Sequence, residues 1–494
     1  MPFFRSPKPF LAVTSQAGRN ASLSSRRDLS IFAIHTPSSS SSYRSTAQCR
    51  QSLRHKKLIS TCSSPSRQSR SLSTLLQRRY ASTKPPSDLK HTPLYNLHTS
   101  LGAKMVPFAN FSMPLEYPDQ SHRDSHLWTR SHASLFDVSH MVQHKLSGDL
   151  AEEFLMTVTP SAINEIEKHH STLSCLLNKQ GGIVDDTVIT RIGKDSFYFV
   201  TNAGRRDEDL AFIQAEMDEF LKGKGASSAK IIWHVLDHHA LLALQGPESA
   251  SVLQSLIFND TEDETLDTSL DTLYFGTSRW LQLALPNGMN TPSLLISRTG
   301  YTGEDGFEIS IPPENGDAAD LATSIAKALT ADSSKVRWAG LGTRDSLRLE
   351  AGMCLYGHDL NDQLTPPMAA LGWLVGKSRR SDNLSPPFNG HEIINKQFAS
   401  PKTMTERRVG FTIERGPAAR EGAEIVDPGN DNQVIGHITS GCPSPSLDGQ
   451  NIAMGYIKNG FHKKGTKVGI KVRKNIRQAE VAKMPFVENK FYRP

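Results

Sequence analysis

Gly181-Gly182-Ile183-Val184-Asp185-Asp186-Thr187-Val188-Ile189 is the stretch on which the reading of this chain turns. Two glycines make a turn, and the β-branched run behind them predicts a strand. Neighbours along a strand point to opposite faces. Asp186 is therefore expected with Val184 and Val188, and Asp185 with Ile183, Thr187 and Ile189. A carboxylate on an apolar face is costly unless a hydrogen bond or a cation compensates it. Such a residue is either an aspartate capping a turn at a strand end or a group set to meet positive charge in a substrate. The stretch by itself leaves both open.

On both sides of it, helical and strand-like patterns alternate. Helices are expected over 147–158 and 204–222, and strands over 183–190, 196–201 and 230–236, which is an α+β signature. Upstream, residues 119–134 read as a helix leading into the short apolar strand Ser134-Leu135-Phe136-Asp137-Val138-Ser139-His140-Met141. Downstream, Ala240-Leu241-Leu242-Ala243-Leu244-Gln245 is a strand stopped by Gly246-Pro247, with a helix from about 248 to 257. Residues 259–272 hold six acids and no base, so a solvated loop is expected there. A helix follows at 343–353, then a Pro/Ser/Asn-rich linker or surface loop over 378–390. The short strands at 408–414, 434–439, 452–457 and 467–473, joined by glycine turns, have the texture of a small β-barrel.

The first 86 residues are different in kind. They carry fifteen Lys or Arg, one acid (Asp28) and much serine, including an unbroken run from Ser38 to Ser42. Arg-rich, Ser-rich and acid-poor is the composition of a mitochondrial transit peptide, expected over 1–80. Arg78-Arg79-Tyr80-Ala81-Ser82 also has the look of a matrix processing site. Of the 56 basic and 50 acidic residues of the whole chain, 41 and 49 remain after residue 86, a net charge of −8. That balance leaves no electrostatic footprint for nucleic acid. No stretch approaches the roughly 18 uninterrupted apolar residues of a membrane helix. Cys175, Cys354 and Cys442 stand far apart, outside any CxxC pattern, so neither a disulfide scaffold nor a zinc knuckle is expected.

Two further segments can carry chemistry. In Gly300-Tyr301-Thr302-Gly303-Glu304-Asp305-Gly306-Phe307-Glu308-Ile309-Ser310-Ile311-Pro312, a glycine loop enters a strand with Phe307, Ile309 and Ile311 on one face. Glu308 lies with Ser310 on the other. It is either an ordinary exposed strand residue or a fork-shaped acceptor for the paired N–H donors of an aminopyrimidine edge. In Ala339-Gly340-Leu341-Gly342-Thr343-Arg344-Asp345-Ser346-Leu347-Arg348, Thr343 is a plausible N-cap, with Arg344 and Arg348 on one helix face. Arg344 in a first turn has an anion-binding reading beside the ordinary solvated one. The Gly-x-Gly there lacks the rest of a dinucleotide fingerprint. His122 and His126 have zinc-like spacing, but without the glutamate of a metalloprotease motif, packing is expected of them. Ser139-His140 is no dyad, since strand neighbours face apart.

Taken in order, these segments resemble the glycine cleavage T-protein family over residues 91–492. The resemblance is carried by Thr92-Pro93-Leu94-Tyr95, Phe136 to Met141, Gly181 to Asp186, Ala243 to Pro247, Gly300 to Glu308 and Arg344 to Tyr356. Ser440-Gly441-Cys442-Pro443-Ser444-Pro445-Ser446-Leu447, Ala453-Met454-Gly455-Tyr456 and Met484-Pro485-Phe486-Val487 extend it through the last third. It implies an α+β, three-domain, cloverleaf-like folate-binding aminomethyltransferase fold with a C-terminal β-barrel. The implied division is a discontinuous folate-binding core (88–144 and 239–363), an inserted α+β domain (145–238) and a barrel domain (364–494). By motif match Asp186 is the catalytic aspartate. Glu308, Arg344 and Tyr492 fall on folate-binding positions, with Asn202 and Tyr301 lining the same channel. His358 stands where many relatives have Asn.

The family resemblance further implies tetrahydrofolate as co-substrate, no metal, the lipoylated H-protein as partner, and a mitochondrial matrix location. The aminomethyl group arrives bound through sulfur to the lipoyl arm. Whether thiolate leaves first or the folate nitrogen attacks as the C–S bond breaks, positive charge develops, and a preoriented Asp186 is expected to stabilise it. Two rivals share the fold. A folate-binding iron–sulfur assembly factor carries a Lys-Gly-Cys-Tyr-type signature that is missing here. A fusion to a flavin-dependent dehydrogenase needs a large N-terminal domain that residues 1–90 do not supply.

Overall fold

A computed structural model describes residues 88–224, 230–259, 267–314 and 316–494. The expected transit segment, and residues 260–266 of the acidic run, lie outside the described residues. Two antiparallel-rich sheets and a closed barrel account for most of the strands.

The first sheet has six strands, in the spatial order Ser278–Leu281, Leu294–Ser297, Gly306–Ile311, Ala240–Gln245, Ala133–Asp137 and Val336–Trp338. Only the last pair runs parallel. Every residue of Ala240–Gln245 is buried, which is why its run of apolar residues does not alternate. Leu242, Leu244, Phe307, Ile309 and Ile311 pack with the helix Ala319–Leu329 in one core. Gly246 ends the strand at φ +128°, where an added Cβ would lie 2.1 Å from the His132 carbonyl oxygen.

The second sheet has five antiparallel strands, in the order Ser171–Leu177, Ile183–Gly193, Ser196–Thr201, Val142–Ser147 and Ile232–Val235. The helices Ala151–Val158 and Arg206–Lys224 cover one face, burying Phe154, Leu155, Ile189, Phe197, Phe199 and Ile213 together. The other face, with Val188, Thr190, Tyr198 and Val200, looks onto the first sheet across a cavity.

The strands from Glu406–Ile413 to Asn475–Ala482 close into a six-stranded barrel around Phe411, Ile425, Ile438, Ile457 and Ile470. An α+β chain with a C-terminal barrel is thus what the sequence patterns indicated. Among the described residues no helix is long and apolar enough to cross a membrane.

Three local expectations are corrected. The helix near Arg344 runs Leu341–Glu350 with Gly340 at its N-cap, so Thr343 is interior and caps nothing. The Arg344 amide is accordingly not free, since it donates to the Gly340 carbonyl at 3.1 Å. The 378–390 segment is a surface loop, with most of 380–387 exposed, but it is not a free linker, because its ends are anchored in the protein. Arg379 and Phe388 are buried, Asn389 Nδ2 donates to the Leu177 carbonyl at 2.8 Å, and Phe388 packs with Leu177 and Ile183. Finally, the pairing of Ile183–Gly193 with Ser171–Leu177 shifts between Leu176 and Leu177, so Val184 has no partner in that register. Val184 joins the cluster of Ile189 instead of the face of Asp186, which a strict alternation would not allow.

Candidate active site

The register is regular again beyond that bulge. Asp186 therefore shares its strand face with Val188 and Thr190, both of which line the cavity between the sheets. The opposite wall of the cavity is the face of the first sheet that carries Leu241, Leu295, Ser297, Thr299, Glu308 and Ser310.

Asp186 is half-buried and receives one fixed hydrogen bond, from Asn202 Nδ2 to Oδ1 at 2.9 Å. Asn202 sits just after the strand Ser196–Thr201 and spans two carboxylates. Its backbone amide and its Nδ2 also donate to Asp185, at 2.7 and 2.9 Å. Because both carboxylates need donors, the amide nitrogen of Asn202 must face them. Burial, then the charge of Asp185, push the Asp186 carboxyl up to about 7, against the opposing pull of the Asn202 bond. A carboxylate tuned to neutral pH and without a cationic partner among the described residues suits proton transfer or the stabilisation of transient positive charge.

Glu308 pairs across the first sheet with Ala243 and Ser297, which aims it into the cavity. Thr299 Oγ1 donates to its Oε2 at 2.7 Å. The sequence placed Glu308 on the face away from the core. That face turns out to be covered by the second sheet instead of by water. Arg344 is half-buried, its guanidinium 4.8 Å from the Tyr301 ring centre, and its Nη1 is buried without a hydrogen-bond partner among the described residues. Burial pulls its pKa down, while Glu308 and Tyr301 hold it up. The Tyr301 hydroxyl donates to the Cys354 carbonyl, and the phenol feels the charge of Asp186. Asp186, Asn202, Tyr301, Arg344 and Glu308 are thus brought into one electrostatic neighbourhood.

Tyr492 stands apart. Its ring lies 3.9 Å above the Arg298 guanidinium and stacks with Tyr274, and its hydroxyl donates to the Asp271 carbonyl at 3.1 Å. Arg298 itself reaches the carbonyls of Leu270 and Leu273, two residues of the opposite core. Tyr492 is therefore held against the sheet face that points away from the cavity.

The structure adds residues that the sequence motifs did not single out. Tyr198 and Ser310 both donate to Gln143 Oε1, at 2.9 and 2.6 Å, and so tie the two sheets together beside Glu308. His140, buried and held neutral with a pKa near 4 by burial, is close enough to Arg344 to feel its charge. Only strand alternation beyond the motifs would have found Tyr198, whereas Ser310 already shared the face of Glu308. His126 bonds Ser346 and Glu350 inside the protein.

Comparisons with known proteins show the family. A model of the GCVT N-terminal domain matches residues 94–379, and one of the glycine cleavage T-protein C-terminal barrel domain matches residues 406–488. A protein named probable aminomethyltransferase, mitochondrial, from Schizosaccharomyces pombe is 43% identical over 424 residues, covering 86% of this chain and 100% of that one. The chain belongs to the glycine cleavage T-protein family. Mitochondrial aminomethyltransferase from Pisum sativum is 46% identical over 409 residues, covering 83% of this chain and 92% of its own. The crystal structure of glycine cleavage system aminomethyltransferase T from Bartonella henselae superposes with a TM-score of 0.69 at 36% identity, covering 82% of this chain and all of that one. As a T-protein family member the chain is a mitochondrial transferase, an aminomethyltransferase of the glycine cleavage system.

Proposed function

We propose that the chain transfers the methylene carbon of an aminomethyl group, carried on the lipoyl arm of the H-protein, to tetrahydrofolate. The products are 5,10-methylenetetrahydrofolate, ammonia and dihydrolipoyl H-protein, and the compartment is the matrix. The observation that carries this reading is Asp186, a carboxylate without a cation on a cavity-lining strand face.

The residues present fit a reduced folate. Glu308 has one oxygen engaged by Thr299, which leaves the carboxylate able to accept from an aminopyrimidine edge. Arg344 carries a buried nitrogen that lacks a partner, and a buried donor of that kind is stabilised by an acceptor on the ligand. A reduced folate supplies nucleophilic nitrogens for the carbon being transferred. Asp186 then holds negative charge where positive charge develops, or takes a proton at Oδ2, the oxygen that Asn202 does not engage. Tyr301 packs against Arg344 and fixes its orientation. Tyr492 is left out of this set.

In the same proposal the 145–238 segment is an inserted domain that carries Asp186. It sits between a discontinuous core of 88–144 and 239–363, with 364–494 completing the chain. The test is methylene transfer from aminomethylated H-protein, measured with and without tetrahydrofolate. Formation of methylenetetrahydrofolate with release of ammonia is expected. Tight folate binding without transfer would instead favour a folate-binding assembly factor.

A further inference from the structure

Behind Asp186 lies a second carboxylate pair that the transfer reaction does not itself require. Asp185 and Asp209 are both fully buried, and their carboxyl groups face one another within hydrogen-bonding reach. Both oxygens of Asp185 are occupied, Oδ2 by the Asn202 amide and Oδ1 by Asn202 Nδ2. Among the described residues neither buried oxygen of Asp209 receives a hydrogen bond of good geometry, although the Thr201 hydroxyl acts on it. Two acceptors cannot face each other in a dry interior without a proton between them. Burial and the Asp209 carboxyl raise Asp185 the further of the two, while Arg205 and the Thr201 hydroxyl limit the rise at Asp209. Against that pull, both oxygens of Asp185 are filled by N–H donors, which bind an ionised carboxylate best and so place the charge on Asp185 and the proton on Asp209.

We propose that Asp209 shares one proton with Asp185 and acts as a positioning residue. It keeps Asp185 as the charged acceptor that anchors Asn202 and, through Asn202, Asp186. This rests on the reading of Asp186 given above. The anchored amide fills Oδ1 of Asp186 and leaves Oδ2 for the reaction. The retained charge on Asp185 raises the basicity of Asp186, and burial raises both members of the pair itself.

The other groups facing this cluster come from several elements. Asp359 adds a little to the proton affinity of Asp186, and Arg205 opposes the rise at Asp209. Glu208, one residue before Asp209 on the same helix, acts in the other direction from Arg205. Cys175 and Cys354 are held as neutral thiols by burial, as Tyr356 is held as a neutral phenol. On the far side Thr201 meets His144 Nε2 at 3.1 Å, and burial keeps that imidazole neutral.

The experiment compares three variants of the full enzyme. Asp209→Ala is expected to lower kcat about tenfold while leaving the KM for tetrahydrofolate within about twofold. Asp209→Asn is expected to restore kcat to within about threefold, because its amide N–H replaces the carboxyl O–H. Asp185→Asn turns an amide toward the Asn202 donors and removes the nearest charge. It is expected to cost at least about tenfold in kcat and to move the acid limb of the pH profile to lower pH. In wild-type protein at pH 9, a protonated-carboxyl stretch in the infrared is expected, and its loss in Asp209→Asn assigns it. The proposal is overturned if Asp209→Asn is no better than Asp209→Ala, or fails to fold. It is equally overturned if Asp185→Asn keeps the wild-type limb, or if the infrared band is missing. Asp186→Asn run in parallel separates the two levels: wild-type turnover there sinks the Asp186 reading, whereas its loss with no effect at position 209 sinks only this one.

Discussion

Two carboxyl groups in this molecule, Glu350 and Asp186, are both withdrawn from water and have opposite electrostatics. Between the helices His122–Ser131 and Leu341–Glu350 and the barrel, Glu350 accepts from Arg130 at 2.8 Å, His126 at 3.0 Å, and Ser444 and Ser446 at 2.5 and 2.7 Å. Those donors, led by His126, hold its carboxyl down at about 2 in spite of burial. Around Asp186 the partners are one amide and more carboxyl groups, and burial lifts the group to about 7. A buried acid that is saturated with cations and hydroxyls holds domains together. One left with a shortage of donors keeps its proton affinity for chemistry. Residue type and burial do not separate the two cases. The partners do.

The largest effect that can break this contrast is expected at the saturated cluster. Glu350→Ala removes the shared acceptor of Arg130, His126, Ser444 and Ser446, leaving Arg130 to Glu304 and His126 to Ser346, and should cost about 3–5 kcal/mol of stability in denaturant unfolding. A loss below about 1 kcal/mol would mean that the cluster is not structural. The folded pKa of Glu350 lies below its ordinary 4.5. Its contribution is therefore complete above pH 4.5 and is lost as pH falls toward 2, which acid titration of the unfolding midpoint will show.

Next come the proposed folate-binding residues. Glu308→Ala and Arg344→Ala should each weaken tetrahydrofolate binding by about 10–100-fold, read by calorimetry, since each removes a charged hydrogen-bonding group. Unchanged affinity in either variant would remove that residue from the site. The smallest effect is a position on the pH axis. Because the Asp186 carboxyl is raised, its ionised form is complete only above about 7, and kcat should fall as pH drops through that value. A flat profile down to pH 5 would erase the difference between the two clusters.

Much of this was legible in the sequence, for physical reasons that differ from residue to residue. Phe307, Ile309 and Ile311 on one face and Glu308 with Ser310 on the other followed from strand periodicity, and the packing agrees. What lies over the second face did not follow, because the strand Leu294–Ser297 and the pairing of the two sheets are long-range facts. Asp186 was visible as an acid in an apolar strand. The bulge at Val184, which breaks the alternation just before it, has no local signature in a β-branched run. The buried Arg379 and Phe388 were hidden in a segment whose Pro and Ser content reads as loop. Asp209 was invisible for a related reason. It stands in the first turn of Arg206–Lys224, where an acid is ordinary helix chemistry, and only the fold sets it against Asp185.

The measurement that tests the central claim most directly is single-turnover methylene transfer by Asp186→Asn, with folate affinity determined on the same preparation. The account predicts a rate lower by about 10²–10³ with binding largely retained, because the variant keeps the shape of Asp186 and removes its charge and its basic oxygen. Transfer at the wild-type rate would contradict it.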